Sequence, residues 1–75
     1  LAQQVAELGA QLDRAIAAAH GARAAVAHEV GDHLWLGPAK AEHADAGLQR
    51  ATERLIRLRA EVADIAAGVQ ALPRA

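Results

Sequence analysis

The chain has 75 residues, a formal net charge of −1 (eight Lys and Arg against nine Asp and Glu), and no cysteine. It has therefore no disulfide framework and no thiolate metal site, and it lacks the clustered positive charge that nucleic acids and anionic membranes select. It also lacks any apolar run of 18 or more residues, so no transmembrane span is expected.

The apolar fraction of 53% overstates the available core, because 22 of those residues are Ala. Alanine favours helix but buries little surface, and chain entropy opposes folding at every residue. A single helical unit of this composition is marginal alone, which points to an oligomer or a heteromeric partner. No basic start followed by an apolar block marks a cleaved signal peptide at Leu1–Ala10.

In chain order, Leu1, Val5, Leu8, Leu12, Ala15, Ala19, Ala22 and Val26 recur in alternating four- and three-residue steps. That rhythm predicts an amphipathic helix over about 2–33, with an a/d seam that is alanine-only in its middle. At its end stand His28, Glu29, Asp32 and His33. Imidazole and carboxylate are common metal ligands, yet His28 and His33 are five apart, about 140° round a helix, and share no face. Adding His43 across a hairpin gives weak metal candidates, and solvated polar residues near a helix C-terminus are the plainer reading. No bound cofactor is expected.

The midpoint carries the only aromatic residue, in Leu34-Trp35-Leu36-Gly37-Pro38. Gly37 permits a reversal and Pro38 fits the first turn of a new helix, so the turn is placed at Trp35–Pro38, spanning about 34–37. Trp35 is either a plug on the hairpin end or an exposed anchor for a partner.

A second helix is predicted over about 38–72, carrying Leu48, Ala51, Leu55, Leu58, Val62, Ile65, Val69 and Leu72 in unbroken 3-4 rhythm. The Arg50–Arg59 segment is locally basic, but Glu53 interrupts it and no aromatic is interleaved, so nucleic acid is not an expected partner. Pairing Val5 with Leu72, Leu12 with Ile65 and Ala19 with Leu58 keeps partner numbers totalling about 77, with the fold at Pro38–Ala39. The fold expected is all-α: an antiparallel two-helix hairpin that dimerises into a four-helix bundle.

A Trp-x-Gly at the elbow of two equal helices, here Trp35-Leu36-Gly37, resembles the WXG-motif family of ESAT-like type VII secretion substrates. The continuation Pro38-Ala39-Lys40-Ala41-Glu42-His43 is similar to the family's frequent Gly-Pro-Ala-Ala-x-x-Phe, with His43 where a Phe is usual. The resemblance implies a hairpin that pairs with itself or with a related hairpin. It also implies export without a cleaved signal peptide, by a type VII-like route, and partnership with larger secreted proteins or toxins. Trp35 and Gly37 form the elbow in that reading, with Leu48, Leu55, Leu58, Val62 and Ile65 among the packing residues. The family's Tyr-x-x-x-Asp/Glu signal has no counterpart, since Tyr is absent, so export would rely on a partner carrying it or on a tail outside this sequence. Alanine- and arginine-rich usage fits an actinobacterial source.

Two other readings stand beside this one. The hairpin is a structural bundle segment of a larger protein, or a metal- or haem-binding helical protein using His20, His28, His33 and His43. An enzyme is not expected, because Ser, Cys and Tyr are absent and Thr52 is the lone threonine.

Overall fold

In a computed structural model, the chain forms two helices, α1 (Ala2–Asp32) and α2 (Pro38–Gln70). The structure describes residues 1–32 and 38–73, and the side chains of 1–28 and 39–73. The two helices pack against each other as an antiparallel hairpin, and the described residues contain no strand. Pro38 opens α2, where its missing N–H costs nothing. The end of α2 tightens, with Ala71 N–H donating to the Ala67 carbonyl and Leu72 N–H to that of Val69, before Pro73.

The hairpin is long and thin. Its extents are 62 × 15 × 11 Å and its radius of gyration is 17.4 Å, against about 11 Å for a compact domain of this length. Two helices cannot enclose a core, and the burial shows it. Among the described residues Leu12, Ala41 and Val62 are the buried apolar ones, and no large side chain is fully enclosed.

The buried and half-buried positions of α1 are Val5, Gly9, Leu12, Ala15, Ile16, Ala19, Ala22, Arg23 and Val26; those of α2 are Ala41, 44–48, Thr52, Leu55, Arg59, Val62, Ala66 and Val69. Of the expected seams, Val5, Leu12, Ala15, Ala19, Ala22 and Val26 of α1 and Leu48, Leu55, Val62 and Val69 of α2 are buried or half-buried. Elsewhere the seam is rotated by one residue. Gly9 replaces Leu8, Thr52 replaces Ala51, Arg59 replaces Leu58 and Ala66 replaces Ile65. Small inner residues let the helices approach closely, and the bulky Leu8, Leu58 and Ile65 are turned out to one flank.

Thr52 is 3% exposed, and its hydroxyl donates to the Leu48 carbonyl 2.7 Å away. This local bond satisfies the hydroxyl and lets the methyl group pack as a small apolar contact. At the far end Arg59 lies across Gly9, where an added Cβ would meet its guanidinium at 3.1–3.3 Å. The aliphatic stem covers the helix contact and the charged head reaches solvent.

The register also differs from the a/d expectation. The cross-helix pairs are Arg23 with Asp45 and Asp13 with Arg59, so facing residue numbers total about 70 rather than about 77. The helices are displaced by one heptad, about 10 Å along their axes. A seven-residue repeat reads the same after that slide, so apolar periodicity alone does not distinguish the two alignments. Charge does: the other alignment sets Asp13 level with Asp64 and Arg23 level with Arg54, and neither ion pair forms.

The glycines give a test of this packing. Gly21 has nothing within 4 Å of an added Cβ, so Gly21→Ala is expected to stabilise the helix by about 0.5–1 kcal/mol. Gly9→Ala must displace the Arg59 guanidinium and is expected to gain less. Thermal melts of both variants check the order; an equal or larger gain at Gly9 would contradict the Arg59 placement.

Candidate protein-interaction face

The residues rotated out of the seam share one side. Heptad spacing keeps Leu1, Leu8, Ala15 and Ala22 on one flank of α1, and Ala44, Ala51, Leu58, Ile65 and Leu72 on one flank of α2. Both flanks precede their seams in the same rotational sense. In facing, antiparallel right-handed helices, that sense carries both to the same side of the hairpin. Leu1 is 74% exposed, Leu8 46%, Leu58 45%, Ile65 56% and Leu72 57%, and these five large side chains form an open apolar face. Scattered exposed leucines are ordinary, but a contiguous row on one side is not.

The opposite side is polar and closed by charge. Arg23 Nε donates to Asp45 Oδ1 at 2.8 Å and its terminal nitrogen to Oδ2 at 3.1 Å, a two-pronged pairing. Arg59 Nε donates to Asp13 Oδ1 at 2.9 Å. All four side chains remain about a third exposed or more, so solvent screening leaves each pair a weak contributor to stability. Their larger effect is on alignment, as above. The hydrogen bond from Arg23 holds the Asp45 carboxyl below its ordinary 3.8, with charge attraction helping and desolvation opposing. The same bond raises Arg23 further above its already high value. Among the described residues, Ile56, 49% exposed, is the large apolar side chain exposed on this flank.

Among the sequence-based site residues, Leu48 and Leu55 are half-buried in the helix contact, and Val62 is buried at 4% exposure. Leu58 and Ile65 are exposed, at 45% and 56%, and stand on the open face. His20, His28 and His43 are exposed on their helices. Glu29 and Asp32 lie in α1, but their side chains fall outside the described residues, as do His33, Trp35 and Gly37 entirely. The elbow motif and most of the metal candidates are therefore not placed. Among the described residues no three His, Cys, Asp or Glu side chains converge as a metal site. A shallow open cleft near the elbow, lined by Val26, Ala27, Ala41, Glu42 and Asp45, is a continuation of the helix contact. Among the described residues no helix is long and apolar enough to cross a membrane.

Apolar counting missed the inner roles of Gly9, Arg23, Thr52 and Arg59. The available signal was charge: opposite signs at 13 and 59, and at 23 and 45, coincide in one antiparallel alignment. Comparison of the chain with protein families, with characterised proteins and with solved structures gave no match.

The Arg23–Asp45 pair gives a pH signature. Because the folded Asp45 carboxyl titrates below 3.8, the unfolded chain binds more protons as pH falls. The pair's stabilisation is thus fully present above the unfolded value and is lost as pH falls from there through the lower folded one. On acidification from about pH 6 to about pH 2 the melting temperature is expected to fall further in the wild type than in Asp45→Asn. The two curves should converge at the acid end; parallel curves would contradict the assignment.

Proposed function

We propose that this chain is a protein-interaction module, a helical hairpin that completes its core by pairing its open face with a second helical hairpin in a four-helix bundle. The supporting observation is the division of the molecule into an ion-paired polar side and an apolar side carrying Leu1, Leu8, Leu58, Ile65 and Leu72. Apolar area removed from water drives association at roughly 25 cal/mol per Å², and a contiguous apolar face rimmed by polar residues is the surface such pairing uses.

The biological setting we propose follows the elbow residues Trp35-Leu36-Gly37 together with the two helices of nearly equal length, 31 and 33 residues. It is that of WXG-motif type VII secretion substrates or targeting partners: the hairpin leaves the cell folded against a partner, without a cleaved signal peptide. Its partners in that setting are itself, a related hairpin or a larger secreted protein.

Two measurements test the separate parts. Expressed in a host with an active type VII system beside its neighbouring genes, the chain should reach the medium and stay in the cells once that system is inactivated. Retention in both cases would remove the secretion role and leave a bundle segment of a larger assembly. Independently, Ile65→Glu places a charge on the open face and should weaken pairing at least tenfold, whereas Ile56→Glu, on the other flank, should change it less than threefold. Equal effects from the two variants would contradict the choice of face.

A further inference from the structure

The side of α2 turned away from α1 is neither apolar nor balanced in charge. Arg50, Arg54 and Arg57 stand at i, i+4 and i+7, within about 60° of one another round the helix. All three are exposed, and the helix contact of Thr52, Leu55, Arg59 and Val62 lies on the opposite side of α2. Among the described residues none of the three makes an ion pair or a side-chain hydrogen bond. Glu53, one turn from both Arg50 and Arg57, instead accepts a hydrogen bond from Gln49 at 3.4 Å. Arg23 and Arg59, by contrast, are held against aspartates at 2.8 Å and 2.9 Å.

A chain of net charge −1 thus gathers three unpartnered guanidinium groups along about 10 Å of one helix face. Beyond Arg57 the sign reverses, with Glu61 and Asp64 exposed on the same face. We propose that this stripe binds an acidic helical segment of another protein, whose carboxylates repeat at i, i+4 and i+7 opposite Arg50, Arg54 and Arg57. The stripe lies beside the open apolar face and not on it, so it stays accessible when that face is covered.

The chemistry of the stripe selects the partner. A guanidinium presents a rigid fork of N–H donors that pairs with a carboxylate through two parallel hydrogen bonds, giving direction as well as charge. Three forks at helical spacing match carboxylates carried at the same spacing on a helix laid alongside. A continuous polyanion fits less well. Duplex DNA carries a charge about every 1.7 Å, so phosphates that reach all three arginines also run on past Glu61 and Asp64. The described part of α2 offers no aromatic ring on which a base could stack. A protein segment can end its acidic stretch before Glu61, or turn basic there.

The test uses the intact chain and a fluorescent alanine-based helical peptide with glutamates at i, i+4 and i+7, followed by anisotropy. Saturable binding is expected at about 50 mM salt, weakened at least tenfold at about 300 mM, because every charge involved is exposed. Arg50→Gln, Arg54→Gln and Arg57→Gln combined should weaken it at least tenfold, with the helical circular dichroism unchanged because Gln is a good helix former. Arg14→Gln, an exposed arginine of α1, should change it less than twofold. Leu8→Gln, on the open face, should also leave it unchanged, which separates this site from the pairing surface. No binding, or an equal affinity in the triple variant, would overturn the stripe. Loss of binding in Leu8→Gln would place the peptide on the open face and overturn it too. Equal affinity for a peptide with the same glutamates scattered round its helix would overturn the matched spacing. A duplex oligonucleotide or phosphatidylserine vesicles bound as tightly as the peptide would overturn the choice of a carboxylate partner. Sedimentation of the chain alone that changes in the triple variant would show the stripe filled by a second copy, and would overturn the proposal as well.

Discussion

Everything about this molecule follows from how little apolar bulk two helices can hide between them. A pair of helices has one shared line of contact, and here that line is occupied by Gly9, Leu12, Ala19, Thr52, Val62 and Ala66. Small residues bring the backbones together but remove little surface from water. The larger side chains remaining in α2, Leu58 and Ile65 among them, have nowhere inside to go. They are displaced to one side, and the same displacement that closes the hairpin creates its open face.

Charge complements this geometry without supplying much energy. Exposed ion pairs contribute little individually, yet Arg23–Asp45 and Asp13–Arg59 sit on a pattern that repeats every seven residues and is otherwise indifferent to sliding. A small preference suffices to separate alignments whose apolar contacts are nearly equal. Alignment in turn fixes which leucines and alanines stand side by side on the open face, so the polar side determines the shape of the apolar one.

The hairpin itself was legible in the sequence. Unbroken apolar rhythm on both sides of a Gly-Pro dipeptide points to two helices and a reversal, and Pro38 indeed begins α2. The inner face was half legible. Leu48, Leu55 and Val62 stand where periodicity places them, but Leu58 and Ile65 stand outside, because a count of apolar residues gives no credit to Arg59, Thr52 or Gly9. Arg59 is inside through its aliphatic stem, Thr52 through a hydroxyl satisfied by its own helix, and Gly9 by having no side chain to clash. The alignment was legible only through charge, since heptads are degenerate under a shift of seven.

The isolated hairpin leaves its apolar face open, and the proposed pairing would stabilise it by closing that face against another hairpin. The most direct test of that pairing is the helical melt of the intact chain, followed by circular dichroism over about a hundredfold range of concentration. Binding that favours the folded state makes the melting temperature depend on concentration. With pairing, the transition moves upward steadily with concentration. A cooperative transition at the same temperature throughout that range would contradict it.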